Sequence, residues 1–148
     1  RYLLLRHVHP TQDSDVTWER LDEWYTANLT NGLGNVVARI MQMSQSHLDQ
    51  YSGINPRLDI DMIEKFDFQG AMNSIWSRIQ KLDQTITETK PFQLIKTNPE
   101  EGKRIVDQLR TELLFIARTL RVYMPSTSDK IHDAVLSNLK PDNLFPRL

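Results

Sequence analysis

The chain has 148 residues, 39% of them hydrophobic and 25% charged, with a formal net charge of −1. That is one domain's worth of chain, long enough to close a core, and no apolar run approaches the roughly 18 residues of a membrane span. With no cysteine there is no disulfide framework, thiolate nucleophile or cysteine-type zinc site. The near-zero charge excludes a general polyanion-binding surface, because nonspecific affinity grows with the number of phosphates neutralised; a nucleic-acid role would have to be local and base-directed.

The opening Arg1-Tyr2-Leu3-Leu4-Leu5-Arg6 starts inside an apolar run without a methionine. It reads as the last turn of an element that begins earlier, in a fragment of a longer protein, and it lacks the h-region and cleavage site of a signal peptide. His7 to Asp15, with Pro10, two Asp and a Ser, reads as a loop. Thr17 is placed to cap a helix with Glu19 in its first turn, and that helix runs through Trp18, Leu21, Trp24 and Tyr25 to about Gln50. Gly32 and Gly34 cost roughly 1 kcal/mol each against Ala in a helix interior. The spacing therefore predicts either a break near Asn28–Gly32 or packing too close there for a Cβ. Residues 56 to 67 alternate Asp59, Asp61 and Glu64 with Ile60, Met62 and Ile63, as in a short helix or turn.

From an Asp67 cap, Phe68, Met72, Ile75, Ile79, Leu82 and Ile86 alternate steps of four and three, the mark of an amphipathic helix, which Pro91 stops. Lys90-Pro91-Phe92 reads as a short, proline-stiffened linker. Asn98-Pro99-Glu100-Glu101 combines a cap, a proline at the first helical position and a glutamate placed for a reciprocal capping bond. The helix it starts carries Ile105, Leu109, Leu113, Ile116 and Leu120 and ends near Tyr123-Met124-Pro125. Ser126, with Asp129 three residues on, starts a last helix whose seam is Ile131, Val135 and Leu139. Residues 140–148 form an extended or turn-like tail. No strand-period segment and no internal repeat occur, so the fold class is all-α: a helical bundle of four to five helices. Trp18, Trp24 and Trp76 fall at core spacing.

No catalytic residue and no metal site emerge from these residues. His7 and His9 share a loop, His47 and His132 are solitary on helices, and none has the paired spacing of a helical zinc site. Asp59, Asp61 and Glu64 lack calcium-loop spacing and read as solvated. Binding is easier to place. Wound at about 100° per residue, Leu29, Leu33, Val36 and Ile40 take one face, and Asn28, Asn31, Asn35 and Arg39 a narrow band on another. Lys and Glu would keep such a face wet with better helix propensity; amides and guanidinium groups hydrogen-bond flat, edge-presenting partners such as nucleobases. The band is open to a second use, amide contacts between helices of the bundle. Phe92 has two roles open to it: a flat face for an unpaired base, or a plug for the end of the bundle.

The stretch Asn28-Leu29-Thr30-Asn31-Gly32-Leu33-Gly34-Asn35-Val36-Val37-Ala38-Arg39 resembles the signature that opens the anticodon-binding helical domain of class I aminoacyl-tRNA synthetases, most closely the methionyl branch. Arg1 to Arg6 with Asp13-Ser14-Asp15-Val16-Thr17 is similar to that family's segment between the catalytic half and this domain. Glu88-Thr89-Lys90-Pro91-Phe92-Gln93-Leu94-Ile95-Lys96 resembles its connection between the second and third helices. The ending Leu144-Phe145-Pro146-Arg147-Leu148 is what points to the methionine branch. The resemblance implies that residues 1–16 are the tail of a preceding catalytic or connective region and 17–148 the anticodon-binding bundle.

The resemblance further implies that Asn35 and Arg39 hydrogen-bond bases of a CAU anticodon. Pro91 and Phe92 would match a Pro-Trp position whose ring stacks on the first anticodon base, and Asn31, Lys90 and Lys96 would be secondary tRNA contacts. Phe92 keeps a stacking face there but has less area and no indole N–H. Ala38 stands where a small polar residue is common. The implied partners are the anticodon loop of tRNA(Met) and the missing catalytic domain of the same chain, with no membrane. The implied parent is a cytoplasmic ligase joining methionine to tRNA with ATP and Mg, whose His-Ile-Gly-His and Lys-Met-Ser-Lys-Ser motifs this chain lacks, and the fragment itself takes no cofactor. The alternatives are the equivalent domain of the leucyl, valyl or isoleucyl enzyme, or a helical protein-interaction module.

Overall fold

A computed structural model describes residues 1–8, 13–53 and 67–147. The expectations for His9 and Pro10, for residues 56–66 with Asp59, Asp61 and Glu64, and for Leu148 concern positions outside the described residues. The rest is an all-α bundle, with no strand among the described residues. In chain order it comprises α1 (Tyr2–Arg6), α2 (Trp18–Trp24), a π-helical stretch π1 (Tyr25–Gly34), α3 (Asn35–His47), α4 (Phe68–Thr89), α5 (Pro91–Thr97), α6 (Pro99–Leu120) and α7 (Pro125–Ser137).

The 3.6-residue pattern identifies the core. Leu29, Leu33, Val36 and Ile40 are buried, as are Met72, Ile75, Ile79, Leu82 and Ile86 of α4, Leu109, Leu113, Ile116 and Leu120 of α6, and Ile131 and Val135 of α7. Each such side chain contributes about 1.5–3 kcal/mol on leaving water. Three helix starts are capped as their side chains dictate: Thr17 Oγ1 accepts from the Arg20 N–H, Asp67 Oδ1 from Gly70 N–H and Asn98 Oδ1 from Glu101 N–H.

The structure corrects several expectations. The helix from Thr17 does not break at the glycines; α2, π1 and α3 run on as one rod that widens over Tyr25–Gly34. Glu101 does not reach back to complete a reciprocal cap, because Arg104 one turn on takes both its oxygens. The last helix begins at Pro125 rather than Ser126, since proline suits a first turn whose N–H would be unpaired anyway. Lys90–Phe92 is not a linker: Lys90 alone turns the chain, at φ 45°, and Pro91 starts α5.

Leu139 is 56% exposed because Asn138 before it adopts the left-handed conformation and breaks the helical period. Of the three tryptophans only Trp76 is core; Trp18 is 80% exposed, at the start of a helix that buries none of its residues. Trp24 is half-buried and stacks on His7 with ring centroids 4.3 Å apart.

α1 packs on the bundle through Tyr2, which is buried against Trp76. Arg6 bonds Tyr2 Oη, Asn28 Oδ1 and Asn73 Oδ1 and lies over the Trp76 ring. Burial holds the His7 imidazole below its ordinary pKa, and the neighbouring Arg6 charge pushes the same way.

A buried polar network closes the other side of the bundle. Arg110 of α6 is 5% exposed. Its guanidinium donates to Asp107 Oδ1 at 2.6 Å, to the Asp49 carbonyl at 2.8 Å, and more loosely to Ser44 Oγ and Asn138 Oδ1. Ser44 Oγ donates to Asn138 Oδ1 at 2.6 Å, and Asn138 Nδ2 to the Leu48 carbonyl at 2.7 Å. Arg110→Ala would leave Ser44 and Asn138 short of partners, so it is expected to lower the unfolding free energy by about 2–4 kcal/mol, measured by urea denaturation.

Candidate nucleic-acid interface

The polar band is built at the junction of π1 and α3. In a π-helix the N–H of residue i+5 bonds the carbonyl of residue i, and here Asn35 N–H reaches the Thr30 carbonyl. The wider turn rotates successive side chains less than an α-helix does, so the band does not survive as one stripe. Asn28 turns inward: it accepts from Arg6 Nη1 at 2.9 Å and donates to the Trp24 carbonyl at 3.1 Å, while its own carbonyl faces Trp76 Nε1. Asn31 and Asn35 are exposed, and neither side chain makes a hydrogen bond among the described residues.

Asn31 and Asn35 share an open groove of about 560 Å³ whose opposite wall is the C-terminal tail, with Lys140, Asn143 and Arg147. Thr30 lines it too, and its hydroxyl is buried without a partner among the described residues. The tail is held where it is by Phe145. A Cβ on Gly34 would stand 3.3 Å from the Phe145 ring and 3.1 Å from the Leu29 carbonyl, so the glycine lets the tail lie directly on the rod. The Tyr25 hydroxyl donates to the Pro146 carbonyl at 2.9 Å, and Lys140 N–H donates to Gln45 Oε1 at 2.9 Å. Gly32 meets only the Ala27 carbonyl of its own helix.

One helical turn beyond Asn35, Arg39 is ion-paired through Nη1 with Asp83 Oδ1 of α4. Asp83 in turn lines a second groove, of about 440 Å³, which also includes Asn31, Gln80 and Gln84. Asn31 is thus the ridge between the two grooves.

α5 carries the aromatic. Pro91 and Ile95, one turn apart, are buried, and Gly102 of α6 lets Ile95 approach, since a Cβ there would stand 2.6 Å from Ile95 Cγ1. The opposite face presents Phe92, 48% exposed, and Lys96 one turn on, with Lys90 exposed at the junction. Phe92 is therefore not a plug. Pro91, being buried, presents no open face of its own; it starts the helix that holds Phe92 out.

Asn35, Arg39 and Phe92 do not converge across one groove: Asn35 lines the first, and neither Arg39 nor Phe92 lines either. They lie in series instead, with the seven-residue run of α4 from Asp83 to Thr89, about 9 Å of rise, between the Arg39 pair and the Lys90 turn. The tail residues Lys140, Asn143 and Arg147 were not anticipated as site residues. The available signal was Gly34, a glycine beside a polar face, which required something to lie close against it.

Among the described residues no group of three or more His, Cys, Asp or Glu side chains is placed to hold a metal, and no helix is long and apolar enough to cross a membrane.

No family model matches the chain. It is 28% identical over 91% of its length to the methionine–tRNA ligase of Streptomyces coelicolor, of which that match covers 29%. It is 27% identical over 90% of its length to the enzyme of that name from Caldanaerobacter subterraneus, covering 24% of it, and 26% identical over 97% to that of Helicobacter pylori, covering 25%. The chain thus spans about a quarter of the length of the curated relatives it matches.

Because Phe145 pins the tail, Phe145→Ala is expected to free this wall of the groove before it affects the core. Hydrogen exchange at the Lys140 amide should accelerate at least tenfold, while the amides of α6 keep their protection.

Proposed function

We propose that this chain is the anticodon-binding module of a methionine–tRNA ligase, reading the CAU anticodon of tRNA(Met). The observation that carries the reading is the pair of exposed amides, Asn31 and Asn35, set in a groove walled by Lys140, Asp142, Asn143 and Arg147, in a chain similar to one segment of enzymes with that name. A protein-interaction module would bury Asn35 and Arg39 against neighbouring helices and place Phe92 inside; Asn35 and Phe92 are exposed, which favours the nucleic-acid reading, while Arg39 is half-buried and paired with Asp83 of α4.

Each group has a role on this reading. Asn35 and Arg39 supply donors and acceptors to base edges. Phe92 stacks on an unpaired base. Asn31 extends the amide surface between the grooves, and Lys90, Lys96 and Lys140 meet the phosphates at its margin. Proteins of this kind take bases from a single-stranded loop and need few phosphate contacts, which suits a net charge of −1. Residues 1–16 would connect the module to a preceding region. Methionine activation with ATP and magnesium would belong to the part of the relatives' length that this chain does not span, in a cytoplasmic parent enzyme.

Titrating the chain with labelled anticodon stem-loops tests this. A CAU loop is expected to bind at least tenfold more tightly than a CAG loop. Equal affinity for the two would remove the methionine assignment, and no binding at low salt would remove the module reading. Phe92→Ala should weaken CAU binding by about 1–3 kcal/mol with melting temperature and helicity unchanged; a large fall in melting temperature would show that Phe92 supports the fold instead.

A further inference from the structure

Arg39 is not a lone cation at this surface. Its guanidinium is fixed from the side by Asp83, a residue of a different helix, through one Nη1–Oδ1 contact. Arg39 is 36% and Asp83 48% exposed at the side chain. A pair so open to water contributes little to folding. Its backbone sites are nevertheless rigid, since Ile40 beside Arg39 and Leu82 beside Asp83 are both in the core. A carboxylate is also an expensive neighbour for RNA, because it repels phosphates. Asp83 lines the groove that includes Asn31, as Glu88 does, and it is Asp83 that is ion-paired there, with Arg39.

We propose that Asp83 is the positioning residue for Arg39, and the proposal rests on the anticodon reading. The guanidinium is a planar fork of five N–H donors with no acceptor. One donor is spent on Asp83, which restrains where the guanidinium sits, one turn from Asn35, and leaves its remaining donors for a base. An unheld arginine would have to order its long, flexible stem on binding. Held by Asp83, part of that ordering is done before the base arrives. The pairing also cancels the carboxylate's charge at the RNA surface, and a base edge meets a preset donor array in place of a mobile cation. Asp83 need not touch the RNA for this.

The test is a double-mutant cycle in the full chain, with CAU and CAG stem-loops as probes and thermal melting alongside. Asp83→Ala should weaken CAU binding about tenfold and reduce the CAU-to-CAG ratio, with the melting temperature unchanged. Asp83→Asn keeps an oxygen that can accept from Nη1 and should restore most of both. In an Arg39→Ala background, Asp83→Ala should cause no further loss, and binding should recover in part because the carboxylate it removes is then unpaired. The proposal is overturned if Asp83→Ala binds as tightly as the parent or more tightly while Arg39→Ala loses binding, since Asp83 would then only repel the RNA. Additive losses from the two substitutions also overturn it. A parent chain that binds both stem-loops equally, or neither, overturns the anticodon reading and this proposal with it.

Discussion

The arrangement of this surface depends on a charge buried on its far side. A guanidinium taken out of water costs several kcal/mol unless its donors are paired; Arg110 Nε is buried without a partner among the described residues, and beyond Asp107 the groups that meet its other nitrogens are the ends of other elements: Ser44 in the last turn of α3, the Asp49 carbonyl just past it, and Asn138 at the end of α7. The Tyr51 ring covers the group from another side. Asp107 balances the charge while keeping its own side chain half in water. The network therefore specifies where α3 stops and where α7 stops. Asn138, in the left-handed conformation at φ 54°, ends the last helix while its side chain is tied to Ser44 and Leu48. From that fixed point the tail leaves toward Gln45 and runs over Gly34, and so the groove has its second wall.

What could be read from the residues follows from which interactions are local. The amphipathic rods of α4 and α6 were legible because burial repeats with the helical period and their caps lie within three residues of the helix start. The π-helical stretch was not. Its signature in the chain is two glycines, which equally predict a break, and the choice between breaking and widening was made elsewhere, by Arg6 holding Asn28 and by Trp76 meeting the Asn28 carbonyl. The inward turn of Asn28 is thus a tertiary fact about a residue that looks interchangeable with Asn31 on a helical wheel. Trp18 and Leu139 failed for a related reason, since periodicity is informative only while the helix lasts and while another element lies opposite. The tail wall and the Arg39–Asp83 pair join residues more than 40 positions apart, beyond any reading by spacing.

Lys90 shows how a local backbone choice becomes a surface property. A linker would let the following ring swing between solvent and core. A single left-handed residue followed by proline leaves no such freedom: Lys90 N–H closes onto the Ile86 carbonyl, and the Lys90 carbonyl already accepts from Gln93 and Leu94 as α5 begins. With Pro91 and Ile95 against the core, Phe92 must point outward. The ring is exposed because α5 is anchored, and α5 is anchored because Gly102 admits Ile95.

The serial layout also constrains the ligand. Successive stacked nucleotides in one strand are about 3.4 Å apart, so three stacked bases cover about 7 Å. The run of α4 that separates the Arg39 pair from the Lys90 turn is already longer, at about 9 Å, and Asn35 and Phe92 lie beyond its two ends. On the anticodon reading, bases splayed from one another would each meet the protein separately, and the unstacking would have to be offset by the contacts themselves. On that reading Phe92 would replace a lost base–base stack with a ring face, while the amides and the Arg39 fork would replace lost base-edge partners. A near-neutral surface suffices for that exchange, because its selectivity comes from edges and faces that only an opened loop presents.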